Sequence, residues 1–126
     1  MGNVLIIDDE PAIGTFLAGM ISRLGYQTVT AFTASESFEK LEHNDFQLII
    51  ADIRLPDAPD AHVWIKALSQ KAAGRPVVLM SGAPSAELSA YASSNGVLTF
   101  LSKPFELAFI KSILKTIFDK PALSAH

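Results

Sequence analysis

Five apolar runs, at 3–7, 27–31, 48–51, 77–80 and 98–101, recur along the 126 residues, and each is too short to be a helix. The segments between them carry helical spacing instead. Ile13, Leu17, Met20, Ile21 and Leu24 repeat on one face and stop at Gly25, a residue suited to the left-handed position that closes a helix. Thr33 and Glu36 have capping-box spacing ahead of Phe38 and Leu41. A third segment contains Val63, Trp64, Ala67 and Leu68. The fourth, at 84–96, is rich in Ala and Ser with few bulky anchors and is expected to be the most weakly held. The fifth places Phe105, Phe109, Ile113, Leu114 and Ile117 on one stripe, the strongest amphipathic pattern in the chain. Strands that alternate with helices five times require a parallel sheet covered on both faces by right-handed crossovers. The expected fold is therefore α/β and doubly wound, with five parallel strands and five helices. One domain is expected over 1–120, with a tail or the start of a linker at 121–126, where periodicity ends.

Composition narrows the function classes. A net charge of −3 lacks the basic excess that nucleic acid or an anionic membrane attracts, so neither is expected to bind this domain directly. With no cysteine, the chain has neither a disulfide framework nor a thiolate metal site. No stretch resembles a secretion signal and no apolar run approaches the length of a membrane span, so the expected location is cytoplasmic.

Chemistry concentrates at the strand exits. The first run ends directly against Asp8, Asp9 and Glu10, followed by Pro11, which suits the first position of a helix. Asp52 follows the third run, Ser81 the fourth and Lys103 the fifth; the second run delivers nothing comparable. In a doubly wound sheet ligands sit at the carboxyl ends where strand order reverses, so the order 2-1-3-4-5 converges these five residues. Three carboxylates brought together raise one another's proton affinity and call for a cation. An oxygen-only set without His or Cys suits a hard divalent ion, and magnesium completes such sites with phosphate oxygens. Ser81 supplies a hydroxyl donor and Lys103 a point charge for a phosphoryl group. Asp52, presented by the central strand, is the expected nucleophile, because aspartate attacking phosphorus gives an acyl phosphate.

These motifs together resemble the receiver domain of bacterial two-component response regulators, with its flavodoxin-like or CheY-like fold, over residues 3–118. The matching features are Asp8-Asp9 after the first strand, D-x-x-x-P as Asp52 and Pro56, Ser81 followed by Gly82, and Lys103-Pro104. The resemblance implies that a sensor histidine kinase or a histidine phosphotransfer protein phosphorylates Asp52. It implies Mg2+ held by Asp9, Asp52 and the backbone carbonyl of Arg54, with Asp8 assisting through water. It implies a cis peptide before Pro104, and a switch in which Ser81 is drawn inward and Phe100 fills the space it leaves. A downstream output domain or protein, or a second copy in a homodimer, would engage the face of helix 4, strand 5 and helix 5. Arg54 and Ala83 stand where relatives tune the lifetime of the phosphoryl group. Pro59-Asp60 departs from the Asp-Gly that relatives often carry, which implies another path for that loop.

Other readings stand beside this one. Ser81 alone is an ordinary helix cap and Lys103 alone a surface charge. Trp64 and the phenylalanines of the fifth helix read as core, and His43, His62 and His126 as surface. Gly14 and Ala18 read as small exposed residues beside the crevice, open to a partner helix. A phosphatase or transferase with an aspartate nucleophile wants a second acid two residues on, where this chain has Arg54. A nucleotide-binding module wants a glycine-rich phosphate loop that does not follow the first strand. A docking-only pseudo-receiver would not need all five site residues.

Overall fold

In the computed structural model, which describes residues 3–82, 84–102 and 106–124, the short runs form β1 (Asn3–Ile7), β2 (Gln27–Ala31), β3 (Leu48–Asp52), β4 (Val77–Ser81) and β5 (Thr99–Ser102). All pairings are parallel and the order is β2-β1-β3-β4-β5. The helices are α1 (Pro11–Arg23), α2 (Ala34–His43), α3 (Ala61–Ala72), α4 (Ala86–Ser94) and α5 (Leu107–Ser124). Alternation along the central strands builds two cores. Leu5, Ile7, Ile49 and Leu79 face one layer with Trp64 and Leu68 of α3, while Val4, Ile6, Ile50 and Val78 face Leu17 and Ile21 of α1 and Ile113 and Leu114 of α5. Both faces are thus buried, which is why these runs have no polar side.

Local signals set the element ends. Gly25, at φ 100°, follows α1, and the amides of Tyr26 and Gly25 donate to the carbonyls of Ile21 and Ser22, closing the helix in a Schellman pattern. Thr33 caps α2 by accepting from the Glu36 amide at 3.0 Å. The Glu36 carboxylate reaches back to the Phe32 amide at 2.8 Å, one residue earlier than a capping box requires. Asp60 caps α3 and Ser85 caps α4.

Four expectations need correction. The fifth strand is Thr99–Ser102 rather than 98–101, and Leu98 is exposed. Gly14 is buried, not exposed: it shares a face with Leu17 and Ile21, and a Cβ there would sit 3.9 Å from Thr30 of β2. Phe109 and Val63 point outward, because the buried stripes of α5 and α3 centre on Ile110, Ile113 and Leu114 and on Trp64, Ile65 and Leu68. The helical backbone of α5 continues to Ser124, into the segment read as a tail. As expected from its composition, α4 buries little, with Leu88 and Ala92 as its anchors. Among the described residues no helix is long and apolar enough to cross a membrane.

Candidate functional site

The reversal of strand order between β1 and β3 opens a crevice at their carboxyl ends. A cleft of about 530 Å³ lies there, lined by Asp9, Glu10, Asp52, Ile53, Arg54, Ser81 and Gly82. Asp52 and Ser81 are the last residues of β3 and β4, not the first beyond them, and so are held by the sheet ladder itself. Asp52 pairs in register with Met80, and Ser81 with Ser102.

Asp8, Asp9 and Asp52 each offer a carboxylate oxygen, and these oxygens lie within 4.8 Å of one another. Asp8 and Asp52 are 1% and 6% exposed, so two of the three charges are removed from water. Backbone amides orient both. The Glu10 amide donates to Asp8 Oδ1 at 2.9 Å, and the Arg54 amide donates to Asp52 Oδ1 at 3.2 Å. The Asp8 amide in turn donates to the Ala31 carbonyl at the end of β2, at 3.0 Å. Behind Asp52, the buried Trp64 indole Nε1–H donates to the Asp52 carbonyl oxygen at 2.9 Å and ties the end of β3 to α3.

The structure therefore brings Asp8, Asp9 and Asp52 together and sets Ser81 and Arg54 on the same cleft. Phe100 sits half-buried on β5, packed on the core layer shared by α3 and α4, beside a separate cleft of about 320 Å³ against α4. Lys103, Pro104 and Ala83 lie outside the described residues.

Sequence reading missed the architecture of the loop between β3 and α3. Leu55 and Ala58 form a bridge, with the Ala58 amide donating to the Leu55 carbonyl at 3.0 Å and Pro56 at the second turn position it favours. Asp57 points from this turn to the start of α2, where Oδ1 accepts from the Ala34 amide at 2.9 Å and Oδ2 from the Ser35 amide at 3.0 Å. Those two amides hold the Asp57 carboxyl below its usual pKa of 3.8. His62, read as surface, bridges α3 to α4 through Glu87 at 2.8 Å and packs at a tilt against Tyr91, with ring centroids 4.6 Å apart. Pro-Asp turn composition marks residues 56–60 as a loop, but nothing local in the sequence marks a contact made 23 residues away.

A carboxyl whose folded pKa lies below its unfolded value adds stability that is complete above the unfolded value and fades as the pH falls past it. The stability advantage of the parent over Asp57→Asn is thus expected in full at neutral pH and lost as the pH falls below 3.8. Urea unfolding of both chains at neutral pH and near pH 3 checks this.

The chain is similar in sequence and fold to known proteins. The family model for the response regulator receiver domain matches residues 4–115. The response regulator protein PilR of Pseudomonas aeruginosa is 30% identical over 112 residues, which cover 89% of this chain and 25% of that protein. The DNA-binding transcriptional regulator NtrC of a Bradyrhizobium species is 27% identical over 120 residues, 95% of this chain and 25% of that one. The chain spans about a quarter of the length of these relatives. A CheY-like response regulator receiver domain protein from Methanospirillum hungatei superposes with a TM-score of 0.87 at 25% identity, covering 98% of each chain. The solution structure of the beryllofluoride-activated NtrC4 receiver domain dimer gives 0.84 at 28% identity, covering 95% of this chain and 98% of that one.

Proposed function

The chain belongs to the response regulator receiver domain family of two-component signalling, and from that premise we propose that Asp52 accepts a phosphoryl group from a sensor histidine kinase or a histidine phosphotransfer protein. The observation that carries this reading is the convergence of three carboxylates on one cleft at the sheet's switch point, with Ser81 on its wall. Their oxygen-only donor set fits a hard divalent cation, and Asp9, Asp52 and the Arg54 carbonyl would hold Mg2+ with Asp8 acting through water. Bound there, the ion neutralises charge on the transferring phosphoryl oxygens. Asp52 attacks phosphorus, the phosphorus–nitrogen bond of the donor phosphohistidine breaks, and the imidazole leaves with a proton from solvent, so an acyl phosphate forms. The Arg54 amide on Oδ1 and the Trp64 indole on the carbonyl fix the direction from which Asp52 approaches. Ser81 and Lys103 bind the remaining phosphoryl oxygens.

The phosphoryl group passes onto and off this one aspartate, so the domain acts as a switch and not as an enzyme on other substrates. Drawing the Ser81 hydroxyl toward the phosphoryl group vacates space that the Phe100 ring enters. The output side is the face of α4, β5 and α5, which engages an output domain, a protein partner or a second copy. Coupling of this kind is typically worth about 1 to 3 kcal/mol. The setting is the cytoplasm, where kinases of this class deliver phosphate.

Incubated with Mg2+ and acetyl phosphate, the intact chain is expected to gain the mass of one phosphoryl group, and Asp52→Asn to gain none. A parent chain whose mass does not change would overturn the reading in favour of a docking-only domain.

A further inference from the structure

Two walls of the acidic cleft are joined behind it by a closed path through the start of α2. One wall, the loop after β1, is tied to the end of β2 by the Asp8 amide on the Ala31 carbonyl. A few residues on, the Ala34 and Ser35 amides hold both oxygens of Asp57. Asp57 belongs to the turn that follows the other wall, where the Arg54 amide meets Asp52 Oδ1. Leu55, 3% exposed, anchors that turn in the core on one side, and Asp57 anchors it to α2 on the other.

We infer that Asp57 is a positioning residue: its two-pronged hold on the first amides of α2 sets the turn at 55–58 and, through it, the backbone of Arg54 against the acidic cleft. The inference rests on the phosphoacceptor reading and adds to it a residue that touches neither metal nor phosphoryl group. Carboxylate hydrogen bonds to backbone amides at a helix start are charge-assisted and directional, so both prongs together fix an orientation that one cannot. Release of the turn frees the Arg54 carbonyl, one of the donors proposed for Mg2+, and loosens the Arg54 amide on Asp52 Oδ1, while the β3 backbone that carries Asp52 stays in the sheet.

The test separates positioning from simple loss of stability. Mg2+ alone is titrated into the full chain by calorimetry, and amide exchange is followed at Arg54 in metal-free buffer. Asp57→Ala is expected to weaken Mg2+ binding about fivefold or more and to speed Arg54 exchange about tenfold, with Asp57→Asn in between. Thr33→Ala serves as the control, because it removes the other side-chain cap of α2, the one on the Glu36 amide, and leaves the turn at 55–58 untouched. Parental Mg2+ affinity and Arg54 exchange in Thr33→Ala support the inference. Equal effects in Thr33→Ala and Asp57→Ala would overturn it, since helix weakening would then explain both. Unchanged binding in Asp57→Ala would overturn it alone, whereas a parent that binds no Mg2+ would overturn the phosphoacceptor reading and this inference with it.

Discussion

Asp52→Asn is expected to unfold at a higher temperature than the parent in metal-free buffer, by the equivalent of about 1 kcal/mol or more, and to lose most of the stabilisation that Mg2+ gives the parent. The sign follows from the site's charges. Two carboxylates within 4.8 Å repel by about 1 kcal/mol at the dielectric of water and by about 3 kcal/mol at an effective value near 20. Asp9 is exposed and lies toward the lower figure; Asp8 and Asp52 are buried and lie toward the higher. Lys103, expected from the sequence to serve this site as a cation, opposes this repulsion in the parent and keeps its own charge in the variant. Asparagine keeps the oxygen that accepts from the Arg54 amide, so removal of the charge costs no hydrogen bond there. A ligand at free concentration L that binds only the folded state stabilises it by RT ln(1 + L/Kd), which vanishes as Kd rises far above L, so loss of the Mg2+ response is the thermodynamic counterpart of losing a ligand carboxylate. Thermal scans of both chains with and without Mg2+ measure both effects. An asparagine variant less stable than the parent without metal would show that the three carboxylates are not in net repulsion, and the case for a cation site would fall with it.

How much of this was legible beforehand depends on the range of the contacts involved. The strands, the helix starts at Pro11 and Thr33, and the stop at Gly25 follow from hydrophobic period and capping chemistry, which act within a few residues. The gathering of Asp8, Asp9 and Asp52 was legible for a different reason. Each stands at a strand's carboxyl end, and parallel strands of one sheet bring those ends together whatever lies between. The departures lie in which residues centre each helix's buried face. Gly14 reads as a small exposed residue, although its spacing to Leu17 and Ile21 places it on the buried face of α1. Phe109 reads as buried from its spacing to Ile113 on one stripe, whereas the buried stripe of α5 is turned toward Ile110, Ile113 and Leu114. Asp57 on the amides of α2 and Trp64 on the Asp52 carbonyl went unread because the meeting of distant loops and helices leaves no periodic trace.

Of those unread contacts, the one at Trp64 has the largest expected effect on stability. Trp64 is 1% exposed, stacks at a tilt against Phe38 with centroids 5.7 Å apart, and is the chain's one tryptophan. Trp64→Ala leaves a cavity in the core of the α2–α3 layer and is expected to cost about 3 to 5 kcal/mol, a large share of the total stability of a domain this size. Trp64→Phe asks a narrower question. It keeps most of the ring and removes the indole N–H that the Asp52 carbonyl accepts, at an expected cost of about 1 to 3 kcal/mol. If that bond serves only the fold, Trp64→Phe should take up phosphate from acetyl phosphate as fast as a variant of equal stability altered in the opposite core layer, such as Leu17→Ala, at a temperature where both are folded. If it also aims the acceptor, Trp64→Phe should be slower by several-fold. The second result is expected, because the end of β3 has the sheet on one side and this indole behind it, and a carboxylate that must meet phosphorus in line loses rate when its backbone can pivot. Equal rates in the two variants would leave Trp64 as a core residue and assign the aim of Asp52 to the sheet alone.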